Sequence, residues 1–223
     1  MPPVHKTSAE AIVAVASQLA EIEGLRGVGV RAIAARLKVS PGTLYNVIGD
    51  VDDIILLVNE RTLLRLRDAL LAAIDSGADA VPNLLAMADA YVDFVTDNPR
   101  LWSMLLEYTL GSERALPEWY QQTLNRTVAT VDHLLLPLIA DRSERRRAVA
   151  VLWATLEGTA SLTASGKLEI VDDSGPHEVV ELLITRFIGS FLHQGAPPQR
   201  RPRPRRKRSA AGQGPAIRRS RRA

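Results

Sequence analysis

The chain has 223 residues, and 46% of them are hydrophobic, which is enough for a sizeable core. It contains no cysteine, so disulfide bonds, thiolate metal sites and cysteine nucleophiles are excluded. The net charge of +3 conceals an asymmetry, because residues 199–223 hold eleven of the 28 basic residues and no acidic residue. The rest of the chain therefore has 17 basic against 25 acidic residues, and the overall charge does not locate a nucleic-acid site.

Apolar residues recur at helical spacing along nearly the whole chain, and no strand-like alternation persists. The sequence thus predicts an all-α protein. Its first residues show no apolar run after a basic cluster, and no apolar stretch approaches the roughly 20 residues that span a bilayer. We expect a cytoplasmic protein without a signal peptide and without membrane contact.

Three short helices are predicted first in chain order, at about 8–23, 30–37 and 41–48. Ser8 is a suitable N-cap for the first helix, and Gly24 is suited to end it. Ser40 followed by Pro41 is a strong start signal, because it places a capping hydroxyl before a proline in the first helical position.

Six further helices follow in the predicted body of the protein. Their ranges are about 52–75, 81–96, 99–110, 117–140, 143–165 and 177–193. Pro137 should kink or stop the helix that contains it. From about residue 196 the chain is rich in Arg and Pro with little to bury, so it should be a disordered basic tail. We therefore divide the chain into domains at 1–51, 52–195 and 196–223.

The second and third helices are joined by about three residues, which is typical of a helix-turn-helix. In that motif the second helix enters the major groove of DNA. The apolar residues of the two helices should form a small shared core; they are Ile33, Ala34, Leu37, Val39 and Leu44.

Residues 30–45 read VRAIAARLKVSPGTLY. This string resembles the DNA-binding motif of the TetR family, in which an Ile-Ala pair is followed by Val-Ser-x-Gly-Thr-Leu-Tyr. The resemblance covers about residues 8–58 and extends more loosely over the body. It implies a DNA-binding transcriptional regulator, in most members a repressor, that binds a double-stranded operator as a homodimer and is released by a small ligand.

The resemblance places a set of side chains at the DNA. The predicted DNA-binding residues are Arg31, Ser40, Gly42, Thr43, Leu44, Tyr45 and Asn46. Hydroxyl groups and an arginine suit phosphate oxygens, and an asparagine can pair with adenine through two hydrogen bonds.

Several positions depart from the family pattern. Lys38 occupies a turn position where glycine is common, so it must adopt a left-handed conformation or change the turn. Val51 stands where a lysine usually opens the fourth helix, which removes one expected phosphate contact. Val47 and Ile48 replace a His-Phe pair, and Ile48 should keep the core role. We expect weaker backbone affinity from this motif.

The body resembles the family's C-terminal domain in helix number and order. In that family the last two long helices pair across a two-fold axis, and here the 177–193 helix has an apolar face broader than one core contact requires. A pocket for an unknown small apolar effector is predicted from residues that are equally suited to an ordinary core. They are Met87, Tyr91, Phe94, Trp102, Leu105, Trp119 and Trp153. Glu107 and Glu157 are candidate partners for a cationic ligand.

No catalytic arrangement is found in the sequence. The four histidines are scattered without metal-ligand spacing, and phosphate-loop and nucleophile-elbow motifs are missing. We therefore expect no enzyme activity, no metal and no cofactor. Two alternatives stay open at this point: an architectural DNA-binding protein driven by the basic tail, and a dimeric ligand-binding protein whose DNA unit has decayed.

Overall fold

The computed structural model describes residues 7–111, 114–171 and 173–192, with residues 190–192 described by their backbone only. Within these ranges all regular elements are helical, which confirms the predicted all-α class. The α-helices are α1 Ala9–Glu23, α2 Val30–Leu37, α3 Pro41–Val47, α4 Val51–Ala72, α5 Ala80–Asp97, α6 Pro99–Glu107, α7 Glu118–Leu135, α8 Arg142–Ala164 and α9 Pro176–Leu192. Short 3-10 turns lie at Gly24–Gly27 and Leu168–Ile170. The predicted tail lies outside the described residues.

Helix α1 begins and ends as its sequence predicts. The Ser8 hydroxyl accepts a hydrogen bond from the backbone N–H of Ala11 at 3.1 Å, which satisfies one of the free donors of the first turn. Gly24 has a φ of 65°, the left-handed value that favours glycine at a helix end. Both predicted caps are confirmed.

The turn between α2 and α3 depends on Lys38. This residue has φ 56° and ψ 42°, so it takes up the left-handed conformation, the first of the two alternatives that the sequence left open. The backbone N–H of Val39 then bonds the carbonyl of Ala34 at 3.0 Å and closes the end of α2. Ser40 accepts a bond from the N–H of Thr43 and starts α3 immediately after the turn.

The first three helices share one core with parts of α4 and α6. Ile12, Ile33 and Leu44 are almost completely buried in it, as are Leu101 and Met104 of α6. We call helices α1 to α3 the reading unit. It packs directly onto α4 and α6, which also contribute side chains to the core of the body.

A second core fills the body around α5, which packs against α4, α8 and α9. Large buried side chains from these helices and from α6 and α7 meet there, among them Leu66, Met87, Trp102, Leu152 and Ile184. This core holds together the helices that surround the cavity described below.

Helices α4, α6 and α7 end about three to five residues before their predicted ends. Helix α7 ends at Leu135 rather than near residue 140, because Pro137 cannot continue the hydrogen-bond ladder. Helix α6 ends at Glu107 rather than near residue 110, since Tyr108 is extended and turns back onto the core of the reading unit.

Candidate nucleic-acid interface and ligand cavity

Helix α3 has one buried side and one open side. Leu44 is 1% exposed and packs among Ile12, Ile33 and Ile54, whereas the next residue, Tyr45, is 54% exposed. Asn46 is also exposed, and Thr43 is half-buried. The open side of α3 is therefore polar and accessible to a large partner.

The start of α3 presents two hydroxyl groups. The side-chain oxygens of Ser40 and Thr43 lie 3.0 Å apart in a hydrogen bond, and Gly42 beside them is exposed. Arg31 near the start of α2 is exposed as well. We call Arg31, Ser40, Gly42, Tyr45 and Asn46, which are exposed, together with half-buried Thr43, the reading surface.

One predicted contact residue does not belong to this surface. Leu44 was expected at the DNA, but its side chain is enclosed in the core and so holds α3 in place. Ile48 keeps the predicted core role, being partly buried against the same cluster. Lys38, predicted only as a turn residue, is exposed between α2 and α3 and adds a cation near the reading surface.

The start of α4 is acidic. Asp50 and Asp53 form a capping box, in which each carboxylate accepts a hydrogen bond from the other's backbone N–H, at 3.1 and 2.9 Å. Arg114 pairs with both carboxylates. The backbone N–H of Asp53, together with Arg114, holds the pKa of Asp50 below its ordinary value of 3.8. These acidic groups are therefore engaged in fixing α4.

A cavity of about 350 Å³ lies in the body among α4 to α9. Its walls are aliphatic and aromatic side chains, and five predicted pocket residues are among them: Met87, Tyr91, Trp102, Leu105 and Trp153. The prediction did not include the residues of α4 and α7 that complete the wall, such as Leu66, Leu70, Leu124, Val128 and Val131. Their spacing is that of any buried helix face, so the sequence carried no separate signal for them.

Two predicted pocket residues lie elsewhere. Phe94 packs edge-on against Trp102, at 6.3 Å between ring centroids, and the guanidinium of Arg65 lies over its ring at 5.9 Å from the centroid. Trp119 is 36% exposed and stacks edge-on against Tyr120. Neither ring lines the cavity.

Glu157 joins two of the aromatic residues of the wall. Its Oε2 atom accepts one hydrogen bond from the hydroxyl of Tyr91 at 2.6 Å and another from the indole N–H of Trp102 at 2.8 Å. Burial, with the hydrogen bond to Glu157, raises the pKa of Tyr91 far above its ordinary value, so this hydroxyl stays protonated and donates. The sequence indicates Glu157 only as a candidate partner for a cationic ligand, not as an acceptor for these two side chains.

The outward faces of α8 and α9 carry exposed apolar side chains. Val151 and Leu162 on α8 are 49% and 42% exposed, and Leu182 on α9 is 59% exposed. Gly158 lies between the two α8 residues, and a Cβ atom built there would meet no atom within 4 Å in the described chain. We call Val151, Gly158, Leu162 and Leu182 the outer apolar face.

No described helix is both long enough and apolar enough to cross a membrane. The same described residues contain no group of three or more His, Asp or Glu side chains arranged to hold a metal ion.

The chain resembles known regulators in sequence and in fold. Residues 12–46 match the family model "Bacterial regulatory proteins, tetR family", and residues 84–187 match the model "Tetracyclin repressor-like, C-terminal domain". The uncharacterized HTH-type transcriptional regulator YobS of Bacillus subtilis (strain 168) is 31% identical over 107 residues, which are 48% of this chain and 55% of that protein.

Solved structures show the same fold across nearly their whole length. A protein of unknown function from Rhodococcus sp. RHA1 superposes with a TM-score of 0.70 at 23% identity, covering 85% of this chain and 98% of that one. The transcriptional regulator SCO7222, a TetR from Streptomyces coelicolor, gives a TM-score of 0.66 at 17% identity, with 86% and 100% of the two chains covered. The helix-turn-helix, the surrounding helical body and the two matching models lead to one conclusion: this chain belongs to the TetR family of DNA-binding transcriptional regulators.

Proposed function

We propose that the chain is a cytoplasmic transcriptional repressor that binds a double-stranded operator as a homodimer through α3. A small effector in the cavity of the body favours a conformation that releases the operator. The proposal includes no catalytic step, metal or cofactor. The observation that carries it is the two-sided α3, in which buried Leu44 fixes a helix whose opposite side exposes Tyr45 and Asn46.

The reading surface has the chemistry that a DNA contact needs. The hydroxyls of Ser40, Thr43 and Tyr45 suit phosphate oxygens, and Arg31 adds a charged donor. Asn46 can recognise adenine through paired hydrogen bonds in the major groove. Phosphate contacts fix the position of a protein along the duplex, and base contacts determine which sequence it binds. We therefore assign sequence specificity to Asn46 and positioning on the duplex to the hydroxyl groups.

A dimer is supported by the outer apolar face. Three large apolar side chains are exposed on adjacent helices, and Gly158 between them gives room for a close approach. Self-association through this face would bury them and present two copies of α3 to two half-sites. Leu182→Arg should therefore give a monomer in analytical ultracentrifugation. Leu64→Arg, at an exposed leucine of α4, should leave the dimer intact.

Helix α6 offers a direct route from the cavity to the reading unit. Leu101 and Met104 pack in the core of α1 to α3, while Trp102 and Leu105 line the cavity. Helix α4 is shared in the same way, with Ile54 at the reading unit and Leu66 at the cavity. A ligand that displaces either helix thus shifts the reading unit, which is allostery by differential affinity of two states.

The DNA assignment is tested with duplexes from the region flanking the chain's own gene, by fluorescence anisotropy with excess unrelated competitor DNA. Asn46→Ala should weaken specific binding about tenfold and relax the preference at one base position. Asn125→Ala, at an exposed asparagine of α7, is the matched control and should bind as the natural chain does. Equal binding by both variants would contradict the placement of Asn46 at the DNA.

A further inference from the structure

We propose that the cavity takes an uncharged apolar molecule of about two fused rings, and that Glu157 sets this specificity by engaging the polar groups of the wall. The inference rests on the proposed function, in which this cavity holds the effector. It adds the chemical class of that effector and names the residue that excludes other classes.

The volume limits the size of the ligand. A cavity of about 150 Å³ in a protein core holds one benzene ring. At about 350 Å³, this cavity is roughly twice as large, which suits two fused aromatic rings or an aliphatic molecule of similar bulk. It lies at the lower end of the range usual for ligand pockets.

The polar groups of the wall are already bonded within the chain. Tyr91 and Trp102 both donate to Glu157, and the hydroxyl of Thr127 donates to the backbone carbonyl of Thr123 at 3.0 Å. Trp153 is half exposed at the edge of the cavity. Among the described wall residues, therefore, the donors of Tyr91, Trp102 and Thr127 are already engaged, and a polar ligand would lose its hydrogen bonds to water on entering.

Glu157 contacts two residues of the cavity wall without lining the cavity itself. It does not line the cavity, whereas both of its aromatic partners do, so Tyr91 and Trp102 turn their donors towards Glu157 and their rings towards the cavity. The two rings also hold each other edge-on, with centroids 5.6 Å apart. One Glu157 oxygen, Oε2, accepts both hydrogen bonds, and these hold the carboxylate against Tyr91 and Trp102.

The experiment compares three naphthalenes with substituents of equal size at the same ring position. Ethylnaphthalene is apolar, naphthylmethylamine is cationic and naphthaldehyde carries a hydrogen-bond acceptor. Binding to the full-length chain is measured without DNA, through quenching of tryptophan emission, because Trp102 and Trp153 line the cavity. We expect ethylnaphthalene to bind at least about tenfold more tightly than either polar analogue.

Glu157→Ala removes the acceptor and leaves space beside two unpaired donors. The affinity for naphthaldehyde relative to ethylnaphthalene should then rise about tenfold, because the aldehyde oxygen can accept from Tyr91 and Trp102. Glu157→Gln keeps an acceptor oxygen without the charge, so it should retain the natural preference and verify that the site stays folded. Glu107→Gln, at an exposed carboxylate that accepts from Ser103, is the matched control.

Three results would overturn the inference. Naphthylmethylamine could bind as tightly as ethylnaphthalene, which would make Glu157 the counter-ion of a cationic ligand. The ranking in the Glu157→Ala variant could equal that of the Glu107→Gln control, or none of the three compounds could bind. A different result would contradict the proposed function while leaving the ligand class intact: saturating ethylnaphthalene binds in the cavity, but the affinity for the operator does not change.

Discussion

Leu44 and Tyr45 are adjacent in α3, but one is buried and the other is exposed. Leu44 is enclosed in the core that joins α1, α2, α4 and α6, whereas Tyr45 extends into solvent. The stability of the reading unit and its contact with DNA are thus separable at the level of single side chains. Substitutions at Leu44 should act on folding, and substitutions at Tyr45 on binding.

We expect Leu44→Ala to lower the free energy of unfolding by about 2–5 kcal/mol, because it leaves a cavity in a filled core. Leu64→Ala, at a leucine of α4 that is 38% exposed, is the matched control and should cost well under half as much. Urea denaturation followed by circular dichroism measures both. Equal losses would show that Leu44 is not the anchor of α3.

Arg145 supports the junction between α7 and α8. It is 7% exposed, pairs with Asp132 at 3.0 Å and donates to the backbone carbonyls of Ile139 and Ala140, which lie past the end of α7. The single ammonium group of a lysine cannot donate to the carboxylate and to both carbonyls as the planar guanidinium does. Arg145→Lys should therefore cost about 1–3 kcal/mol of unfolding free energy.

The control for Arg145 is its neighbour Arg146, which is exposed on the same helix. Arg146→Lys should leave the urea midpoint unchanged. If both variants unfold at the midpoint of the natural chain, the carbonyls after Leu135 do not depend on Arg145.

Helix α9 is joined to α5 by a titrating contact. Both ring nitrogens of His177 face carboxylates of α5, Asp89 at 3.0 Å and Asp93 at 3.1 Å. The hydrogen bond to Asp89, with the charge of Asp93, raises the pKa of His177 above its ordinary value of 6.5. The contact therefore stabilises the fold fully below about pH 6.5 and is lost as the pH rises through the higher pKa of the folded state.

Because His177 is about half exposed, we expect this contribution to be at most about 1 kcal/mol. The melting temperature of the natural chain should fall between about pH 6 and pH 9 by more than that of His177→Gln. His133→Gln, at an exposed histidine of α7, should behave as the natural chain does. Parallel pH dependence in all three proteins would contradict the contact.

The sequence predicted helix ends well where the end depends on the chemistry of a single capping residue. Ser8, Gly24 and the Ser40-Pro41 pair are residues suited to helix caps, and Lys38 takes one of the two conformations that the sequence left open. Periodicity could not show which neighbour covers an apolar face. Trp119 and Phe94 are as apolar as Trp102, but only tertiary packing determines that Trp102 alone of the three lines the cavity.

At the scale of the whole molecule, charge is divided between the acidic body and the basic residues 199–223. These residues lie outside the described chain, so the expectation rests on sequence. A polycation increases DNA affinity by releasing counter-ions from phosphates. Deleting residues 199–223 should weaken binding and flatten the dependence of affinity on salt concentration. An unchanged salt slope would show that the tail does not contact DNA.

The central claim is that α3 of a dimer reads a specific operator. Footprinting on the DNA that flanks the chain's own gene, with the natural chain and with Asn46→Ala, tests it most directly. We predict a protected pseudo-palindrome whose half-sites are about one helical turn apart or a multiple of it, resistant to unrelated competitor DNA and lost in the variant at the same protein concentration. Protection that spreads without a boundary, or that Asn46→Ala leaves unchanged, would contradict the account.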